Sequence, residues 1–95
     1  MVARLLDDDP LVQRMRLRLM DLLDQHGPGV SICPSEAARS LAKEIDMDWQ
    51  ELMRLVRTVA ADLARSGRID VTQHGHAVDI VDARGPVRLV RRFPH

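Results

Sequence analysis

The sequence has few of the residues that stabilise or anchor proteins by means other than a hydrophobic core. It contains one cysteine, which excludes an internal disulfide, and no Cys and His set with zinc-site spacing. No apolar run approaches the roughly 18 residues of a membrane span, and the first residues lack the apolar stretch of a secretory signal. We therefore expect a cytoplasmic protein that has no membrane partner, no metal and no cofactor.

Aromatic residues and net charge are also scarce. Only Trp49 and Phe93 are aromatic, so the core must consist of Leu, Val, Ile, Met and Ala. The 14 basic and 14 acidic side chains balance, which gives no long-range attraction to nucleic acid or lipid. The charges are unevenly distributed, however, since residues 1–51 carry six cations and ten acids whereas residues 52–95 carry eight and four.

What is present is the pattern of one small globular domain. With 95 residues, 45% of them hydrophobic, we expect a single domain over residues 1–95 with an ordered core at about 9–92. Apolar residues at helical spacing predict helices over 10–26, 34–45 and 49–66. Asp9 and Asp48 are typical N-terminal caps, and Gly27 and Gly67 are placed to end the first and third helices.

Short β segments complete the prediction. Residues 30–32 predict a brief strand, residues 87–90 a last one, and alternation after Gly67 predicts a hairpin with a two-residue turn at His74-Gly75. Its register implies three cross-strand pairs: Val71 with Val78, Ile69 with Ile80, and Asp70 with Asp79. The fold is then mainly α with a small β-hairpin (α+β), a winged helix-turn-helix of three helices followed by a β wing.

Three segments carry a resemblance to a known family, namely CPSEAAR at 33–39, WQELMRLVRTVAADLARSGRIDVTQHG at 49–75 and RGPVRL at 84–89. They resemble a bacterial winged-helix family known as domain of unknown function 3253, over most of the chain from about Ile32 onward. The resemblance implies a winged-helix fold and no established activity. The sequence departs from the family at Gln50, where Arg is expected, and at His74 and His76, where the wing more often carries Lys or Arg.

The third helix carries the main candidate residues for function. At about 100° per residue, one flank brings together Gln50, Arg54, Arg57, Ala61 and Arg65, and Arg and Gln can read base edges in a major groove. We predict double-stranded DNA as the partner, with these candidate contacts: Gln50, Arg54, Arg57, Arg65, His74, His76 and Arg88. The alternative is that the arginines are solvated surface residues paired with acids such as Glu36.

The predicted wing is weakly basic, because it carries His74 and His76 where Lys or Arg would give a stronger base. Further positive charge depends on whether the last strand lies beside the hairpin, since it would come from Arg84, Arg88, Arg91 and Arg92. The two histidines alternate as paired metal ligands do, but two ligands do not make a site, and a polar turn is the simpler interpretation.

Other classes of function stay open. The acidic first half favours an interaction module that binds a protein partner or its own copy without nucleic acid. Leu17 and Met20 lie off the inward arc of the first helix, so a homodimer through that helix is a further expectation. An enzymatic role would depend on Cys33 alone, a residue more typical of packing, and we predict a protein that is not an enzyme.

Overall fold

The computed structural model of the chain describes residues 9–27 and 29–92. The ends of the domain predicted over 1–95, and Pro28 in the turn after the first helix, lie outside the described residues. Three helices and a small four-stranded antiparallel sheet make up the described part, which confirms the α+β class and is consistent with helices followed by a β wing. No helix among these residues has the length and apolar character needed to cross a membrane.

The helices lie close to their predicted positions, and their ends are set by local polar contacts. They are α1 (Pro10–His26), α2 (Pro34–Ile45) and α3 (Met53–Arg65), with a 3₁₀ turn at Trp49–Leu52 leading into α3. The Asp9 carboxylate accepts a hydrogen bond from the Leu11 N–H at 2.9 Å, and Asp48 accepts one from the Gln50 N–H at 3.0 Å. Both residues therefore cap helix starts as predicted.

The end of α3 depends on a glycine in the left-handed region. The Gly67 N–H reaches the Ala64 carbonyl at 3.1 Å, and its φ of 77° turns the following peptide back toward the helix. The next N–H, of Arg68, reaches the Leu63 carbonyl at 2.9 Å. These two bonds close the last turn of the helix and turn the chain into the sheet.

The sheet consists of β1 (Ser31–Ile32), β2 (Ile69–Gln73), β3 (His76–Ala77) and β4 (Arg88–Arg91), in the order β1-β4-β2-β3. All pairs are antiparallel. The last strand is therefore central, because β4 pairs with both β1 and β2. It lies one residue later than predicted.

The hairpin between β2 and β3 has its predicted turn but not its predicted length. His74 and Gly75 have φ of 52° and 82°, so both turn residues are left-handed, and Gln73 pairs with His76. This combination is typical of a two-residue turn of type I′. The Val78 N–H still reaches the Val71 carbonyl at 2.9 Å, and pairing stops there.

The other two predicted cross-strand pairs are wrong. Ile69 and Asp70 face β4, opposite Arg91 and Val90 respectively. Pairing on the β3 side ends because Asp79 starts a turn, in which its carboxylate accepts a hydrogen bond from the Val81 N–H at 2.9 Å. Asp70 is therefore not opposite Asp79, and it instead lies 3.4 Å from the Arg92 guanidinium.

Residues 78–87, which we call the covering segment, leave the sheet and return to it as β4. Ile80 is 2% exposed and belongs to the core together with Val87, although neither is part of a strand. Full burial of such a side chain contributes about 1.5–3 kcal/mol, so the core compensates for the lost strand pairing. A segment without regular structure therefore belongs to the hydrophobic core.

Truncation of Ile80 tests this role. Ile80→Ala should lower the free energy of unfolding by about 2–4 kcal/mol because it leaves a cavity in the core. Val81→Ala, which shortens an adjacent side chain that is 75% exposed, is the matched control and should change it by less than about 0.5 kcal/mol. Urea unfolding followed by circular dichroism measures both, and equal effects would contradict a core role for Ile80.

Candidate nucleic-acid interface

The flank of α3 that the sequence assigns to DNA is divided in two. Ala61, predicted to lie on this exposed flank, is only 9% exposed. Ala61 and Ile80 line the same cleft, so the covering segment lies over this part of the helix. The prediction for Ala61 is wrong because helical geometry alone does not show that the covering segment packs against this side of α3.

Arg57 fastens the covering segment to α3. Its Nη2 donates to the carbonyl oxygens of Ile80 at 3.1 Å and Ala83 at 3.0 Å, and the residue is half-buried. One nitrogen therefore satisfies two backbone acceptors that belong to no strand. Arg57 was predicted to contact DNA, and in the structure this part of its guanidinium binds the protein's own backbone.

A second side chain fastens the other end of the covering segment. Nε2 of Gln73, the last residue of β2, donates to the carbonyl oxygens of Arg84 and of Pro86, the latter at 3.1 Å. Arg57 and Gln73 together bind four carbonyls of residues 80–86. The covering segment is thus hydrogen-bonded both to α3 and to the end of β2.

The rest of the flank is open, and we call it the open strip: Gln50, Arg54, Thr58 and Arg65. All four residues are exposed. Within residues 9–27 and 29–92, neither Arg54 nor Arg65 forms an ion pair, and Glu36, considered as a partner, accepts instead from the Cys33 N–H at 3.2 Å. The strip presents two uncompensated cations and the polar groups of Gln50 and Thr58.

The arginines in β4 and just after it bind groups of the protein itself. Arg88 donates from Nε and Nη2 to the side-chain and backbone oxygens of Ser31, at 2.9 and 2.8 Å. Arg91 lies 3.4 Å from Asp24 of α1, and Arg92 is paired with Asp70. β4 lies beside the hairpin, which was the condition for its arginines to add positive charge to the wing. These arginines instead bind groups of β1, α1 and β2, and the contacts of Arg88 hold β1 against β4.

The arginines of α1 and α2 contact other groups of the protein. Arg14 and Arg18 both pair with Glu44, and Arg16 pairs with Asp62 on α3 at 3.2 Å. Arg39 stacks over Trp49, with its Cζ 4.5 Å from the ring centroid. These contacts join α1 to α2, α1 to α3, and α2 to the 3₁₀ turn before α3, and within the described residues they leave Arg54 and Arg65 as the arginines of the helices without such a contact.

The turn of the β2–β3 hairpin, which is the tip of the predicted wing, is exposed and polar. His74 lies in the turn and His76 at the start of β3, and both side chains are exposed. Within the described ranges, no three His, Cys, Asp or Glu residues lie where they could hold a metal ion. Cys33 precedes α2, and its sulfur accepts from the Ser35 hydroxyl at 3.2 Å.

Two features of this surface were not predicted from the sequence. Thr58 lies on the open strip, and its hydroxyl donates to the Arg54 carbonyl at 3.0 Å. Its helical position four residues after Arg54 is the signal that could have found it. The covering segment was read as hairpin because Val78 and Ile80 alternate as strand residues do, and nothing local distinguishes a paired Ile80 from one packed on α3.

Arg57 and Arg54 are a matched pair for testing this division. Arg57→Met keeps the apolar stem and removes both hydrogen bonds, so it should lower the free energy of unfolding by about 2 kcal/mol. Arg54→Met on the same helix should change it by less than about 0.5 kcal/mol. Urea unfolding measures both variants, and an Arg57→Met protein as stable as the wild type would show that Arg57 does not anchor the covering segment.

The comparison with known proteins agrees with the resemblance seen in the sequence. The model of a protein family described as "Protein of unknown function (DUF3253)" matches residues 12–92. No curated protein matches the chain. The matched range contains the open strip, the wing and the covering segment. Because it spans well over half of the sequence, the chain belongs to the DUF3253 family of proteins of unknown function.

Proposed function

We propose that this protein binds double-stranded DNA through the open strip of α3 and acts by binding rather than by catalysis. The observation that carries the proposal is the exposure of Arg54 and Arg65 on one helix face without any acidic partner in the described structure. Elsewhere on the helices, the arginines at 14, 16 and 18 are neutralised by carboxylates. A helix whose cations stay available is suited to a polyanionic partner.

The shape of α3 supports the same partner. A helix is about 10–12 Å wide with its side chains and fits the major groove, which is about 12 Å wide. On the open strip, Gln50 and Arg54 lie toward the start of the helix, where a recognition helix contacts base edges. We assign base contacts to these two residues and a phosphate contact to Arg65, with His74 and His76 as wing contacts.

Arg57 and Arg88 are left out of the proposed contacts. The Arg57 Nη2 already donates to two carbonyls, and Arg88 donates to Ser31 through two of its nitrogens. Breaking these bonds would release the covering segment or β1. Binding would therefore use few cations, and the affinity should be moderate with a shallow dependence on salt.

Titration of a short labelled duplex of mixed sequence tests the proposal. The wild type should bind at low salt, and the logarithm of the association constant should fall with the logarithm of salt with a slope of about −1 from the phosphate contact of Arg65, and more steeply where a further cation meets a phosphate. Arg54→Ala should weaken binding by about 1–3 kcal/mol if it contacts a base. Lys43→Ala, which removes an exposed cation of α2, is the matched control and should leave binding unchanged.

Two results would contradict DNA binding through this strip. One is a wild-type protein that does not bind the duplex even at low salt. The other is binding that Arg54→Ala and Lys43→Ala weaken equally, because this would indicate general attraction to positive charge rather than a defined face.

A second candidate function has one observation in its favour. Leu17 of α1 is 71% exposed and lines a groove together with Arg14 and Asp21. If α1 packs antiparallel against a second copy, the two Leu17 side chains meet. This arrangement would make the protein a homodimeric interaction module, with or without DNA.

Sedimentation equilibrium tests the homodimer. Leu17→Glu should convert a dimer to a monomer because it places two carboxylates in an apolar contact. Val81→Glu, which changes a similarly exposed residue of the covering segment, should leave the dimer intact. A wild-type protein that sediments as a monomer at high micromolar concentration would exclude this candidate.

A further inference from the structure

The covering segment carries an exposed cation outside the open strip. Arg84 is exposed, and its guanidinium has no hydrogen bond or ion pair to any residue of 9–27 or 29–92. Its backbone, in contrast, is bound: its carbonyl oxygen accepts a hydrogen bond from Gln73. Arg84 thus combines an unpaired guanidinium with a bound backbone. In contrast, the guanidinium groups of Arg88, Arg91 and Arg92 bind the protein itself.

The backbone on both sides of Arg84 is anchored to different elements. The carbonyl of Ala83, the preceding residue, accepts from Arg57 of α3 at 3.0 Å, whereas the carbonyl of Arg84 accepts from Gln73 at the end of β2. Arg84 therefore lies where the chain passes from the helix to the wing. Gly85 follows with φ of 83°, and the Pro86 carbonyl is also bound by Gln73.

The position of the covering segment relative to α3 indicates which group of a bound duplex Arg84 would contact. Arg57 precedes Thr58 and follows Arg54 by three residues, so the covering segment borders the open strip on one side. A duplex whose major groove receives α3 presents its sugar-phosphate backbone at the borders of the groove rather than its base edges. The chemistry that meets Arg84 there is a phosphodiester oxygen.

We propose that Arg84 is a DNA phosphate-binding residue, positioned between α3 and the wing by the hydrogen bonds of Arg57 and Gln73 to the covering segment. This inference rests on the proposed function, because it assigns a further contact at the same site. Anchoring reduces the conformational entropy that the arginine loses on binding. Gln73 is a positioning residue and does not touch the DNA itself.

The test uses the full chain and a short labelled duplex of mixed sequence at several salt concentrations. Arg84→Ala should weaken binding about fivefold for all sequences alike and make the salt slope shallower by about 1. Arg84→Lys should restore most of the affinity, since a phosphate contact needs the charge more than the planar group. Lys43→Ala is the control for loss of a cation elsewhere, and circular dichroism confirms that each variant is folded.

A double-mutant cycle tests the positioning role of Gln73. Gln73→Ala should weaken binding in the wild type but have little further effect in the Arg84→Ala protein, since both changes remove the same contact. Equal losses in both backgrounds would overturn the positioning role.

The outcomes separate this inference from the proposed function. If Arg54→Ala weakens binding while Arg84→Ala leaves the affinity and the salt slope unchanged, the contact at Arg84 is wrong and DNA binding through α3 stands. If the wild type does not bind the duplex at low salt, both are overturned.

Discussion

The attachment of the covering segment to α3 by Arg57 is the constraint on which the surface of this protein depends. A single guanidinium nitrogen binds the carbonyls of Ile80 and Ala83, which come from residues 23 and 26 positions further along the chain. With these bonds in place, Ile80 packs into the core and the chain returns as the central strand β4. The same bonds remove Arg57 and Ala61 from the exposed flank of α3.

The consequence for function is a small and well-defined basic surface on a chain with no net charge. Most cations of α1 and of the last strand bind carboxylates or backbone oxygens. Their positive charges are therefore neutralised locally by neighbouring groups. The open strip differs because its two arginines keep their charge available to a partner. In the proposal above, Arg84 adds one phosphate contact beside this surface. Such a surface suits the proposed interaction with DNA, whose affinity should be modest and whose dependence on salt should be shallow.

The helices could be predicted from sequence because their signals are local. Apolar residues at helical spacing, and caps at Asp9, Asp48 and Gly67, act within a few residues of the positions they define. The path after Val78 could not be predicted, because Ile80 satisfies the alternation of a strand and the burial of a core residue equally well. The exposure of Arg54 and Arg65 followed from helical geometry, whereas the fate of Arg57 depended on carbonyls distant in sequence.

The most direct test is the exchange with water of the arginine side-chain hydrogens in the free protein, followed by nuclear magnetic resonance. The Nη2 hydrogens of Arg57 donate to two carbonyls and should exchange much more slowly than those of Arg54 and Arg65, which face solvent. Equal and fast exchange at all three arginines would contradict the account, because the covering segment would then not be anchored by Arg57 and the flank of α3 would not be divided.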